Sequence, residues 1–159
     1  MKENSTVKEQ SLRPQPAVKS QAQPAPAASA ADELDERVLA ALHAGSEKKA
    51  IDPVVLDLRD IASFTDFFVI FSGANERQVQ AISDAVYEQL KKAGEAAARV
   101  EGYKTAEWIL LDYGDFVVHV FEQKARKFYD LERLWRESKR VELPAELTGA
   151  GPSSLRKES

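Results

Sequence analysis

The 159-residue chain has no cysteine, one methionine and two histidines. Without cysteine there is no disulfide framework, no thiolate metal site and no cysteine nucleophile. His43 and His119 lie far apart, with no ligand spacing around either, so a zinc site would need carboxylates gathered from distant segments. No apolar run approaches the roughly 20 residues of a membrane span, and the start, MKENSTVKEQ, lacks the hydrophobic stretch of a signal peptide. Positive charge is short as well: 22 Lys and Arg stand against 26 Asp and Glu, a net charge of −4, which excludes nucleic-acid binding through a general cationic excess. A soluble cytoplasmic domain is the expectation, with no DNA and no membrane among its partners and no cofactor or metal.

What is present is unevenly spread. All 13 aromatic residues fall between Phe64 and Trp135, while Pro14, Pro16, Pro24 and Pro26 crowd into the first 31 residues beside Gln, Ala and Ser. Such a stretch cannot bury enough apolar surface to offset its ordering entropy. The reading is therefore a disordered tail over 1–31, one α/β domain over 32–143 and a second disordered tail over 144–159. The domain holds 16 basic and 22 acidic residues, so it suits a basic protein surface better than bare RNA.

Within the domain, Asp32 can cap a first helix carrying Leu34, Val38, Ala41 and Leu42, with Gly45 able to close it. Residues 54–58 and 67–71 read as strands, the second almost wholly apolar and so sandwiched between layers. Asn75 and Gln78 form a plausible capping pair for a helix striped with Val79, Ile82, Val86 and Leu90 and stopped by Gly94. A short strand at 97–100 follows. The runs 108–111 and 116–121, joined by Asp112-Tyr113-Gly114-Asp115, make a hairpin. Residues 124–139 read as one last helix with Phe128, Leu131, Leu134 and Trp135 on one side. The predicted fold is a mixed α/β domain of about five strands packed with helices.

Catalytic constellations fail one after another. No glycine-rich phosphate loop occurs, and Gly73 reads as a backbone requirement rather than an anion site. His119 alternates with Val118 and Val120 and reads as a packed, hydrogen-bonded histidine, the alternative being a general base. Asp57, Asp60 and Asp66 read as turn and cap residues. A nucleotidyltransferase would need a Gly-Ser pair and an Asp-x-Asp strand to hold magnesium; the order here is Ser72-Gly73, and no Asp-x-Asp exists.

Four stretches in order carry a resemblance: Ser63-x-Thr65-Asp66-x-x-Val69-Ile70; Gly73-x-x-x-Arg77-Gln78-Val79-x-Ala81-Ile82; Glu107 through Asp115 to His119; and Arg126-x-x-Tyr129-x-Leu131-Glu132-x-Leu134-Trp135. Over about 32–138 the chain resembles the ribosomal silencing factor family, also called RsfS or Iojap-like. It departs at Ala74-Asn75, where hydroxyl or small residues are usual, and at Phe116, where valine is common. The resemblance implies a nucleotidyltransferase-like topology without the catalytic motif. It also implies binding to a ribosomal protein on the intersubunit face of the large subunit, so that bulk alone blocks joining of the small subunit when nutrients are scarce. Members can self-associate, so a homodimer or an assembly module is the alternative.

On that basis Trp108, Asp112, Tyr113, Gly114 and Asp115 are expected to form an anionic aromatic knob at the hairpin tip that meets the basic partner, the bland alternative being a packed Trp108 and an ordinary tight turn. Arg77, against the dipole at a helix start, is expected to reach the partner or pair with Asp66. Ser63, Thr65, Asp66, Gly73, His119, Tyr129, Leu131 and Trp135 are expected to serve structure, with Tyr129 and Trp135 in the core stripe.

Overall fold

A computed structural model of the chain describes residues 34–148. Asp32 and the segments 1–31 and 149–159, read above as a cap and as disordered tails, lie outside the described residues.

Helix α1 (Glu36–Glu47) starts at Asp35, whose carboxylate accepts the Arg37 backbone N–H at 2.8 Å. Gly45 does not end it. A Cβ there would come within 2.6 Å of the Phe71 ring, so glycine permits close approach inside the helix. The end comes instead at Lys49 (φ 61), where the Lys49 N–H reaches Ser46 O and the Ala50 N–H reaches Gly45 O.

Strands β1 (Ile51–Asp57) and β2 (Phe67–Gly73) pair antiparallel, β2 being buried along its whole length. Helix α2 (Glu76–Lys92) opens with a reciprocal cap: Asn75 Oδ1 accepts the Gln78 N–H at 2.9 Å, and Gln78 Oε1 accepts the Ala74 N–H at 2.7 Å. Its stripe of Val79, Ile82, Val86 and Leu90 is fully buried. A short β3 (Arg99–Glu101), β4 (Trp108–Asp112) and β5 (Phe116–Glu122) follow.

The last helix departs from expectation. It is broken into α3 (Gln123–Tyr129) and α4 (Leu131–Leu134) by Asp130 in the left-handed region (φ 51, ψ 52), a conformation aspartate tolerates better than most residues. Phe128 and Leu134 consequently sit in solvent, 80% and 72% exposed, while Leu131 is buried. The residues beyond form a sixth strand, β6 (Lys139–Val141), paired antiparallel to β1 through Val55↔Val141, and a helical turn α5 (Ala145–Thr148) that buries Leu147. Order therefore continues past 144, because Val141 and Leu147 complete the apolar cover on the α1 side.

The sheet runs β3-β4-β5-β2-β1-β6, antiparallel except where β2 and β5 pair in parallel, giving a mixed α/β fold. Alternation sends Phe67, Val69, Phe71, Ile109, Leu111 and Val118 towards α1 and α2. The opposite residues, among them Phe68, Ile70, Val117 and Phe121, meet Ala125 and Leu131 of the short helices. No helix of the described residues is long and apolar enough to cross a membrane.

Candidate functional site

The hairpin register sets the geometry. Trp108 pairs across from Phe121 and Asp112 from Val117, so Trp108 lies about 13 Å from the turn, four residues along the strand. The aromatic and anionic groups expected to form a single knob are thus split between the two ends of β4.

At the turn, Gly114 takes φ +85, and the Asp112 carboxylate accepts its N–H at 2.9 Å. Tyr113 turns inward: its ring is buried and stacked on Phe116 at 4.9 Å, its hydroxyl has no partner among the described residues, and burial pushes its pKa up to about 12. Asp115 is clamped by Arg37, whose Nη2 donates to it at 2.8 Å while the same guanidinium serves Asp35 and reaches Glu95 at 3.3 Å. From the other side the Thr65 hydroxyl donates to Gly114 O at 2.9 Å and the Asp66 N–H to Asp115 O at 2.8 Å. Burial, with Asp115 nearby, raises the Asp66 pKa. Ser63 is exposed in the preceding loop. Arg37 carries no motif signature, and its role was not visible in the sequence.

At the far end, half-buried Trp108 donates its indole Nε1–H to His119 Nδ1 at 3.0 Å and lies 4.8 Å from Phe121 and 4.9 Å from Tyr129, ring to ring. His119 is buried with Phe68 edge-on at 4.5 Å, and burial drives its pKa down to about 3. The imidazole is neutral with its proton on Nε2, which has no partner among the described residues. Its one basic nitrogen is already engaged by the indole, which leaves none for proton abstraction.

Arg77 sits exposed in the first turn of α2 and makes no ion pair among the described residues; Asp66 lies at the opposite end of β2, so the expected pairing does not form. Gly73 is a close-approach glycine, since a Cβ would meet Val79 N at 2.9 Å. Arg126 is a second key residue without an assigned role in the sequence reading. Its guanidinium holds Glu132 in two bonds of 3.0 and 3.1 Å and donates to Asp52 O at 2.7 Å and to the Ser72 hydroxyl at 2.9 Å. The Asp130 break brings Glu132 round to it. Burial would raise the Glu132 pKa, but Arg126 and Arg140 outweigh it and the net shift is downward.

Tyr129 and Trp135 do not share a buried stripe. Trp135 is half-buried and stands edge-on to Phe68 at 5.6 Å, and Tyr129 is largely exposed. With Phe64, Trp108 and Leu110 they make an aromatic face that α3 and α4 only partly cover. Arg99, Glu101 and Asp112 share the side of Leu110 by register, and Arg99 is paired to both carboxylates, at 3.1 and 3.3 Å. Among the described residues no group of three His, Asp or Glu side chains converges as a cation site.

The mixed sheet is thus sealed by long helices on one side, with an aromatic face left partly open on the other. The chain belongs to the family described as RsfS, ribosomal silencing factor during starvation, whose model matches residues 31–158. It is 43% identical over 103 residues to ribosomal silencing factor RsfS of Halalkalibacterium halodurans, covering 65% of this chain and 88% of that one. It is 30% identical over 116 residues to mouse mitochondrial assembly of ribosomal large subunit protein 1, covering 71% of this chain and 50% of that one. The crystal structure of a Chromobacterium violaceum protein superposes with a TM-score of 0.64 at 34% identity, over 70% of this chain and 90% of that one.

Proposed function

We propose that this ribosomal silencing factor docks its half-open aromatic face, centred on Trp108 and Leu110, onto a basic ribosomal protein at the intersubunit face of the large subunit. Bulk alone then blocks joining of the small subunit and represses translation under nutrient limitation, in the cytoplasm and without cofactor or covalent chemistry. The observation that carries this reading is a large, oriented indole left half-exposed beside Leu110, with Glu101 and Asp112, which share Arg99, on the same side and net negative. Aromatic anchors at a contact centre supply affinity, and carboxylates at its rim steer a cationic partner and fix its orientation. The turn contributes through Asp112 and the outer edge of Asp115, while Tyr113 and Gly114 hold its shape; Arg77, with no ion pair among the described residues, is available at the sheet's other end.

Gradient sedimentation of lysate tests this. The wild-type chain should travel with large subunits and be absent from joined ribosomes. Trp108→Ala and Leu110→Lys should each release it, with circular dichroism unchanged. Undiminished binding by both variants would remove this face as the contact. The name of the mouse relative favours a second reading, a part in large-subunit assembly; accumulation of incomplete large subunits on depletion would distinguish it. Self-association through the short, exposed edge strand β3 would appear in the same gradients as a dimer that dissociates on subunits.

A further inference from the structure

Charge is polarised along the chain. Between 123 and 140 seven lysines and arginines face three carboxylates, whereas the rest of 32–143 holds nine against nineteen. Of the seven, Arg126 and Arg140 are engaged by Glu132, and Lys139 reaches Asp60 at 3.5 Å. Lys127, Arg133 and Arg136 are exposed and make no ion pair among the described residues. All three line one groove with Phe128 and Leu134, and Asp130 is the one carboxylate on its wall. The fold creates this groove, because the turn at Asp130 lays the Arg133–Arg136 segment beside the end of α3. Phe128, 80% exposed, is held by Tyr129 at 5.0 Å and 86° and is otherwise open.

A basic protein would be repelled here, so the groove and the acidic-rimmed face around Leu110 select opposite partners. Unpaired cations beside an exposed aromatic ring match the two things a nucleic-acid strand offers: phosphates for charge and an unstacked base for the ring. We propose that this groove binds RNA, with phosphates on Lys127, Arg133 and Arg136 and an unpaired base stacked on Phe128. The inference rests on the docking reading only in making that RNA ribosomal; the groove's own affinity is separable. The contact would lie beside the protein contact, since Tyr129 touches both Phe128 and Trp108.

Filter binding of the full chain to a labelled RNA stem–loop with an adenosine loop tests it across a salt series. Wild type should bind at low salt, with log K falling against log salt at a slope of about −2 to −3 for three phosphates. The triple variant K127E/R133E/R136E should lose this binding, and Phe128→Ala should weaken it about tenfold with the slope unchanged. Trp108→Ala should bind the RNA as wild type does while failing on subunits, which separates the two contacts. RNA binding that survives charge reversal, that is absent from wild type at low salt, or that Trp108→Ala abolishes equally, would overturn the proposal. Preference for a polyglutamate peptide over RNA, with the same variant sensitivity, would overturn it in favour of an acidic protein. RNA binding intact in a wild type that ignores large subunits would sink the docking reading and leave this one standing.

Discussion

The two faces of the sheet are finished differently. On one, α1 and α2 cover Phe71, Ile109, Leu111 and Val118 completely, and Gly45 lets the Phe71 ring press against a helix backbone. On the other, two helices of seven and four residues cover Phe68, Ile70 and Phe121 but leave Phe64, Phe128, Tyr129 and Leu134 in water. The first face is closed because long helices with full apolar stripes lie on it. The second is open because its helix breaks. Stability belongs mainly to the sealed side, and the proposed recognition to the side where burial stops short.

That contrast can be broken in graded ways. Phe71→Ala, opening a cavity beneath α1, should cost about 3–5 kcal/mol and lower the Tm steeply, whereas Phe128→Ala should leave the melting curve almost unmoved. Thermal denaturation of the pair measures the difference directly.

Next in size is a pH effect on the open side. His119 has a folded pKa of about 3, below its unfolded value near 6.5, so between these the unfolded chain binds the extra proton. Stability should therefore be full above about pH 6.5 and fall by a few kcal/mol as pH drops towards 3. His119→Gln should remove most of that dependence in denaturant titrations at pH 7 and pH 5. Equal slopes for both proteins would show that the histidine is not the titrating group.

The smallest effect should come from the turn. Arg37→Ala frees Asp115, but the pair is partly exposed, so the loss should stay within about 1 kcal/mol. Its sharper readout is local: faster amide exchange at Asp115 and Gly114.

The closed face was legible in the sequence. Val79, Ile82, Val86 and Leu90 repeat at helical spacing, Asn75 and Gln78 announce the cap, and 67–71 is apolar without interruption; each signal lies within a few residues of what it specifies. The candidate site was less so. Trp108 and the carboxylates of the turn are neighbours in the chain, but an extended strand carries them apart, and which end faces what is decided by pairing with β5. The helix over 124–139 failed for a related reason: Phe128, Leu131 and Leu134 have helical spacing, yet the tertiary bonds from Arg126 to Glu132, Asp52 and Ser72 accompany a bend at Asp130 that periodicity cannot register. Arg37 likewise acts on residues 58 and 78 positions away, beyond any local pattern.

Both tryptophans of the chain, Trp108 and Trp135, stand on the half-open face. The intrinsic fluorescence of this molecule therefore originates where a partner would arrive. A complex formed there should shift the emission maximum without any attached dye, and the same signal would stay silent to an association made through the opposite side.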